Sequence, residues 1–322
     1  MLGTRRDPGL KNSDIETMPH MPFPEPVTCD DGASTLVIQP PPARLARHVF
    51  AFVHRNDHQG GQVVRWLPEP RMSIQIFLAD PCFVRENPEG AAWRSLPRIG
   101  LWGPRYNWAY GYIERHIRVY AVGLTPTGLR ALWPGSAAEL VNQVVDLREH
   151  HRGLAEQLAL IPDENFDAWR QRAAEHLHDY LKPALQPDDA LSAALNVLAT
   201  GEGRSVADAA AIAGLSERQF RRVFEQRLGV SPKRYQRAIR VDRMLKQLHA
   251  QPWEGDEFAD QPIPFADQPH AIREFRAMTG ITPGQYLHAK QRGDATLRSV
   301  PMSGIAPPTA DTTTDAASKP DV

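Results

Sequence analysis

Four long polar side chains recur at helical spacing between residues 218 and 226, and their chemistry suits contact with nucleic acid. Arg218, Arg221, Arg222 and Gln226 would share one exposed face of a helix. An arginine can donate two hydrogen bonds to one guanine, and it can also pair with phosphate oxygens. Between residues 201 and 250, eleven Lys or Arg stand against five Asp or Glu, although the whole chain has a net charge of −1. This local excess predicts a surface that binds double-stranded DNA.

The elements that would position these side chains are two helices joined by a tight turn. Ala210 is small enough for two helices to cross closely, and Gly214 tolerates the positive φ that the turn needs. Ser216 and Gln219 have the spacing of a capping box at the start of the second helix. The buried stripe of that helix would consist of Phe220, Val223 and Phe224. The alternative is a generic helical pair with a solvated basic face, and the coincidence of caps, glycine turn and charge favours a helix-turn-helix.

Two longer patterns resemble the signatures of the AraC family of bacterial transcription regulators. The first pattern comprises Ser216, Phe220, Arg222 and Phe224, followed by Gly229, Ser231, Pro232, Tyr235 and Arg240. The second comprises Phe265, Asp267, Gln268, His270, Arg273 and Phe275, followed by Thr279, Gly280, Pro283 and Tyr286. The resemblance covers roughly residues 190–290. It implies an all-α domain with two helix-turn-helix units, joined by a long helix over 232–248, and each unit would read one of two adjacent major grooves.

The resemblance also implies which residues contact DNA. In the first unit these are Arg218, Arg221 and Arg222, and in the second unit they are Gln268, His270 and Arg273. Gln226, Lys233 and Arg234 complete the predicted set.

The second unit departs from the family pattern. Pro262 and Pro264 fall where a supporting helix and a glycine turn are expected, and Asp260 replaces a small residue. Either the supporting helix is shortened and the second unit reads DNA weakly, or one helical turn still holds the recognition helix adequately. The sequence leaves both alternatives open.

The N-terminal half has the alternation and turn spacing of a small β-barrel or sandwich, which makes the whole chain α+β. The predicted strands are 62–67, 73–78, 82–85, 98–102, 106–112 and 116–124, and the predicted helices are 136–147, 151–161 and 165–181. Thr125 and Pro126 read as the start of another helix. Six of the seven tryptophans lie between Trp66 and Trp169. They are interpreted mainly as core residues, and lining of an apolar pocket is the alternative.

Three segments of this half resemble an uncharacterised cupin-like domain that precedes AraC-type DNA-binding domains. They begin at Trp66, Gly103 and Val122. The resemblance implies a domain that senses a small molecule or dimerises. The predicted organisation is a disordered arm over 1–40, the cupin-like domain with a helical extension over 41–182, the DNA-binding domain over 190–290 and a disordered tail over 291–322.

Other kinds of chemistry find little support. His54, Asp57 and His58 lack an evident third metal ligand, and Gly103-Pro104-Arg105 is interpreted as a turn rather than an anion site. No secretory signal or apolar run of membrane-spanning length is evident. The sequence therefore predicts a cytoplasmic transcription regulator that is not an enzyme and has no cofactor or metal.

The predicted partners are double-stranded DNA, a small-molecule effector, RNA polymerase and a second copy of the chain as a homodimer, with no membrane. Two rival hypotheses stay open. One is a metal-dependent cupin-type enzyme, and the other is a regulator with impaired DNA binding that acts by pairing with another protein.

Overall fold

The structure is a computed structural model that describes residues 27–30, 34–57, 60–86, 92–163, 165–181, 189–200, 205–250, 269–292, 299–301 and 313–314. The strands are β1 Val27–Asp30, β2 Ser34–Gln39, β3 Val49–Asp57, β4 Val63–Trp66, β5 Met72–Phe77, β6 Cys82–Glu86, β7 Trp93–Ser95, β8 Ile99–Trp102, β9 Ala109–Ile113, β10 Ile117–Leu124, β11 Val144–Asp146, β12 Ser299–Pro301 and β13 Thr313–Thr314. The helices are α1 Pro126–Leu132, α2 Leu147–Leu160, α3 Phe166–Leu181, α4 Asp189–Thr200, α5 Val206–Ile212, α6 Glu217–Leu228, α7 Pro232–Ala250, α8 Pro269–Thr279 and α9 Pro283–Gln291. The predicted α+β class is confirmed.

The strands form two sheets that pack face to face. Sheet A has the order β1-β2-β3-β10-β5-β8-β11, and sheet B has the order β12-β4-β9-β6-β7-β13. Phe77 and Val119 of sheet A share a buried cluster with Cys82 and Ala109 of sheet B. Of the two predicted alternatives, a small barrel and a sandwich, the structure has the sandwich. Closure into a barrel requires the edge strands to pair, and β1 and β11 stay at opposite edges of sheet A. We call residues 27–181 the β-domain.

Sheet A carries helices on the face that points away from sheet B. Alternation along β5 places Met72, Ile74 and Ile76 in the cluster that includes these helices, as the predicted half-buried strand requires. Trp169 of α3 packs against Tyr120 of β10 with ring centroids 4.5 Å apart. The helix predicted over 165–181 is therefore confirmed, and it covers the sheet.

The helix predicted over 136–147 is wrong. The chain forms a 3-10 turn over Ala137–Leu140, and Asn142 then adopts a positive φ of 58° that no helix contains. β11 follows and pairs with β8. The backbone groups of β8 thus find their partners in β11, which outweighs the local helical pattern.

The C-terminal helices share one continuous core with the β-domain. A single cluster of buried apolar residues includes Ile74 of sheet A, Leu140 of the 3-10 turn and Phe220 of α6. In α7 the predicted inner face is confirmed, since its five apolar residues are all buried: Tyr235, Ala238, Val241, Leu245 and Leu248. The two parts of the chain therefore pack as neighbours rather than as separate bodies.

Parts of the two predicted disordered ends are strands. β1 and β2 lie within the predicted arm and pair in register, with Val37 opposite His54 of β3. β12 and β13 lie within the predicted tail and extend the two edges of sheet B. The unpaired backbone groups of a sheet edge favour such additions. In the described part of the chain, no helix is both long and apolar enough to cross a membrane.

Candidate nucleic-acid interface

The first helix-turn-helix unit has each local feature that its sequence predicts. Ala210 is 2% exposed at the crossing of α5 and α6, and Gly214 adopts a φ of +66° in the turn. The Ser216 hydroxyl accepts from the backbone N–H of Gln219 at 3.3 Å, while the side-chain Oε1 of Gln219 accepts from the backbone N–H of Ser216 at 3.0 Å. These caps satisfy donors at the start of α6 and fix the end of the helix that would meet DNA.

The predicted DNA-reading face of α6 is open to solvent. Arg218, Arg221 and Arg222 are all exposed, whereas Phe220 and Phe224 on the opposite face are fully buried. Arg221 pairs with Glu217 one turn earlier at 3.2 Å, and both side chains stay more than half exposed. Such an exposed pair is weak, so Arg221 can leave Glu217 for a base or a phosphate.

Gln226 is exposed but has different surroundings from the three arginines. It lies with Arg227 in a cavity of about 50 Å³ between α6 and the β-domain. Arg130 and Trp133 form the facing wall. Gln226 therefore lies where α6 approaches the β-domain, and the arginine face lies nearer the start of the helix.

Lys233 and Arg234 lie in the first turn of α7. Lys233 is exposed. The Arg234 guanidinium lies 5.5 Å from the centre of the Tyr106 ring, and its Nη2 donates to Asn107 Oδ1 at 3.5 Å. Arg234, which is a predicted DNA contact, thus faces a loop of the β-domain in this structure.

The second unit is described only from α8 onwards. His270 and Arg273 are exposed on α8, Phe275 is fully buried, and Gly280 ends the helix with a φ of +73°. Gln268 and the whole segment 251–268, with Pro262 and Pro264, lie outside the described residues. The recognition helix of the second unit is thus formed and capped, and its predicted contacts His270 and Arg273 are accessible.

A carboxylate ties this second recognition helix to the linking helix, and sequence reasoning missed it. Glu274 is 5% exposed, and its two oxygens accept from Arg237 Nε at 2.7 Å and from Arg240 Nε at 3.0 Å. Burial alone would raise the pKa of Glu274, but the hydrogen bonds and charges of Arg240 and Arg237 lower it below its ordinary value. The side chain therefore stays ionised and fixes α8 against α7. The signal available in the sequence was a single acidic residue, Glu274, next to the apolar Phe275.

The chain matches one family model, which is described as a helix-turn-helix domain, over residues 209–289. This span runs from α5 to α9 and contains both recognition helices. Residues 209–289 form an AraC-type helix-turn-helix domain.

Solved structures also show similarity at low identity. Apo ToxT from Vibrio cholerae, crystallised as a point variant, is 11% identical, and the match covers 78% of this chain and 99% of that chain with a TM-score of 0.43. Wild-type ToxT bound to an unsaturated fatty acid is 11% identical, with 73% and 94% covered and a TM-score of 0.42. Procruciferin, an 11S globulin from Brassica napus, is 10% identical, with 35% and 32% covered and a TM-score of 0.24. None of the curated protein sequences matches this chain.

The β-domain contacts the AraC-type domain through buried polar groups that the sequence did not reveal. Arg71 Nη2 donates to Asp242 of α7 at 3.1 Å, and Asp242 is only 3% exposed. Burial alone would lower the pKa of Arg71, but the carboxylates of Glu69 and Asp242 raise it above its ordinary value. Arg71 therefore stays charged at this contact, and it joins the segment just before β5 to the helix that links the two units.

Arg105 has a structural role, as the interpretation of its triplet as a turn predicts. Its guanidinium forms two hydrogen bonds to the Glu86 carboxylate, at 2.9 and 3.0 Å, and it is 6% exposed. A bidentate pair of this kind occupies the arginine and holds the loop between β8 and β9. This loop is one of the parts of the β-domain that lie next to the AraC-type domain.

The side chains weighed as metal ligands do not assemble in the described residues. His54 stacks on Phe166 and meets Tyr120 edge to face, and burial lowers its pKa. Among the described residues, no three His, Cys, Asp or Glu side chains lie together so that they could hold a metal ion. His58 lies outside the described residues.

Proposed function

We propose that this chain is a sequence-specific DNA-binding transcription regulator. The observation that carries the proposal is the exposed face of α6 with Arg218, Arg221 and Arg222. The helix is capped at its start, its opposite face is buried, and it belongs to an AraC-type domain. Arginines near the start of a recognition helix reach base edges in the major groove. His270 and Arg273 would read the groove next to it.

The length of α7 supports two-headed reading. Its 19 residues rise by roughly 1.5 Å each, which makes the helix about 28 Å long. Adjacent major-groove sites on one side of a duplex are about 34 Å apart. A helix of this length therefore suits two recognition helices that enter consecutive grooves.

The β-domain would receive the signal that controls DNA binding. Its direct packing against α6, α7 and α8 supports this, because a change of the β-domain at these contacts would act directly on the helices. A small molecule or a protein would supply the signal, and RNA polymerase and a second copy of the chain are the further partners that the proposal includes. The protein would act in the cytoplasm, where the bacterial chromosome is.

The test is selection of bound sites from random duplex DNA with the full-length chain. We expect one enriched site, and we expect the Arg221→Ala, Arg222→Ala double variant to lose that enrichment. Arg152→Ala is the matched control, since Arg152 is another exposed arginine in an i,i+4 pair, with Glu156 on α2 of the β-domain. Failure of the wild-type chain to enrich any sequence at low salt would overturn the proposed function.

A further inference from the structure

Both recognition helices end against the β-domain at equivalent positions. Gly229 follows α6 and Gly280 follows α8, and both have the positive φ of a left-handed helix cap. A Cβ atom on Gly229 would lie 2.6 Å from the carbonyl oxygen of Ala137. A Cβ atom on Gly280 would lie 1.9 Å from Arg65 Nη1 and 2.5 Å from Trp108 Nε1. The β-domain thus touches the C-terminal ends of both reading helices.

The contact at the second helix is built around a buried arginine. Arg65 is 7% exposed on β4, and its Nη1 donates to the Thr279 carbonyl oxygen at 3.3 Å, at the end of α8. The unsatisfied carbonyls at a helix C-terminus carry partial negative charge, so they stabilise a nearby cation. The Arg65 guanidinium also lies 3.8 Å from the centre of the Trp108 ring, and the Trp108 amide donates to the Met278 carbonyl oxygen at 3.1 Å.

The same loop of the β-domain reaches the first helix. Tyr106 is 1% exposed, and its hydroxyl donates to the Leu228 carbonyl oxygen at 3.4 Å, at the end of α6. Only one residue separates Tyr106 from Trp108, and the paired Arg105 and Glu86 hold this loop. One loop therefore contacts the ends of both recognition helices.

These contacts leave the reading faces free. Arg218, Arg221 and Arg222 are exposed near the start of α6, and His270 and Arg273 are exposed near the start of α8. The β-domain occupies the opposite ends of both helices. Docking of the β-domain and insertion of the two helices into DNA are therefore compatible in this arrangement.

We propose that the β-domain braces the second recognition helix, and that Arg65 and Trp108 are positioning residues for base reading by α8. This inference rests on the proposed function. The sequence leaves open how far the segment before α8, with Pro262 and Pro264, supports this helix, and that segment lies outside the described residues. A recognition helix reads bases only when its surroundings hold it within a fraction of an ångström. Arg65 and Trp108 support the C-terminal end of α8, and the Glu274 network holds α8 against α7, so the second unit reads bases in the full-length chain.

The experiment compares Arg65→Met with Arg85→Met in full-length protein. Arg85 is the matched control, because it also stacks on aromatic rings of sheet B, 4.8 Å from the centre of Tyr110 and 5.2 Å from the centre of Trp93. Site selection with wild-type protein should give two blocks of base preference, one helical turn apart. Binding titrations then use duplexes in which either block is scrambled.

We expect Arg65→Met to lower the preference for the intact second block by about tenfold and to leave the preference for the first block unchanged. Arg85→Met should preserve both preferences. Trp108→Ala, as a second variant, should act as Arg65→Met does. An unchanged preference for the first block shows that a variant is folded. If both variants lost the preference for the first block together with that for the second, the residues would have a merely structural role, and the proposal would be overturned.

Two further results would contradict the proposal that the β-domain positions α8, without contradicting the proposed function. One is a wild-type site with a single block. The other is a two-block site that Arg65→Met reads as wild type does. By contrast, the absence of any selected site would defeat the proposed function itself.

Discussion

At the scale of single residues, the three exposed arginines near the start of α6 are distinguished by their neighbours. Arg221 shares an exposed ion pair with Glu217, while Arg218 and Arg222 extend from the same solvent-facing side. The pair with Glu217 is exposed and therefore weak, so Arg221 can exchange Glu217 for a base or a phosphate. All three side chains of this face are thus available for contact with DNA.

We expect Arg221→Ala and Arg222→Ala each to reduce discrimination between the selected duplex and a scrambled duplex. Loss of a bidentate contact to a base should cost roughly 1–3 kcal/mol of specific binding. Titrations on the two duplexes at fixed salt measure this difference. Equal losses on both duplexes would show that these arginines contact phosphates instead of bases.

Glu274 leads to a pH-dependent prediction. Its pKa in the folded chain lies below the ordinary value of 4.5, so its ionised form stabilises the fold above that value, and this contribution is lost as the pH falls through the folded-state pKa. Glu274→Gln should therefore lower the free energy of unfolding at pH 7 by about 1–2 kcal/mol, discounted because Arg237 and Arg240 are half exposed. Urea unfolding at pH 7 and below pH 4 is the measurement. A difference from wild type that does not shrink in acid would contradict the ion-pair account.

At the scale of elements, two glycines with positive φ allow the cost of backbone strain to be compared with the cost of crowding against the β-domain. Gly214 and Gly229 have similar positive φ values, +66° and +75°. A Cβ atom on Gly214 would meet no atom within 4 Å, whereas a Cβ atom on Gly229 would crowd the Ala137 backbone and the Val141 side chain. The two positions therefore form a matched pair, in which only Gly229 reports on the contact between domains.

We expect Gly214→Ala to cost about 1 kcal/mol of unfolding free energy, the cost of a left-handed conformation for a residue with a side chain. Gly229→Ala should cost at least about 1 kcal/mol more, because a backbone carbonyl blocks the new methyl group. Chemical unfolding of the two full-length variants tests this. Equal costs would mean that α6 does not pack against the 3-10 turn Ala137–Leu140 in solution.

At the scale of the whole molecule, the β-domain and the AraC-type domain are joined by contacts between residues far apart in the chain. Arg71 and Asp242 are separated by 171 positions, and Arg65 and Thr279 by 214. The predicted linker over 182–189 falls almost entirely outside the described residues, and the boundary there stays a prediction. The joined arrangement places the β-domain in direct contact with the AraC-type domain.

We expect a fragment of residues 183–290 to fold and to bind DNA with lower affinity than the full chain. The fragment keeps the buried stripes of α6 and α7 and the Glu274 network, but it loses the contacts of Arg65, Arg71 and Trp108. Circular dichroism measures helix content, and titration on the selected duplex measures affinity. An unfolded fragment would place the domain boundary elsewhere, and affinity equal to that of the full chain would show that the β-domain contributes nothing to binding.

Much of the fold was accessible from short stretches of sequence, and the errors share one cause. The strands over 62–67 and 73–78 and the helix over 165–181 are confirmed within a residue or two. The helix over 136–147 is wrong because β11 pairs with β8, more than 40 positions earlier in the chain. The open sheets, in place of a closed barrel, likewise depend on which distant edges meet.

The sequence by itself determined the first reading unit: its glycine turn, its capping box, the buried stripe of α6 and the inner face of α7. These features follow from backbone conformation, local hydrogen bonds and helical periodicity, which act among residues close together in the chain. Only the tertiary structure decided that Arg65, Tyr106 and Trp108 meet the ends of both recognition helices. Their partners are more than 100 positions away, so packing brings them together and no local pattern records the contact.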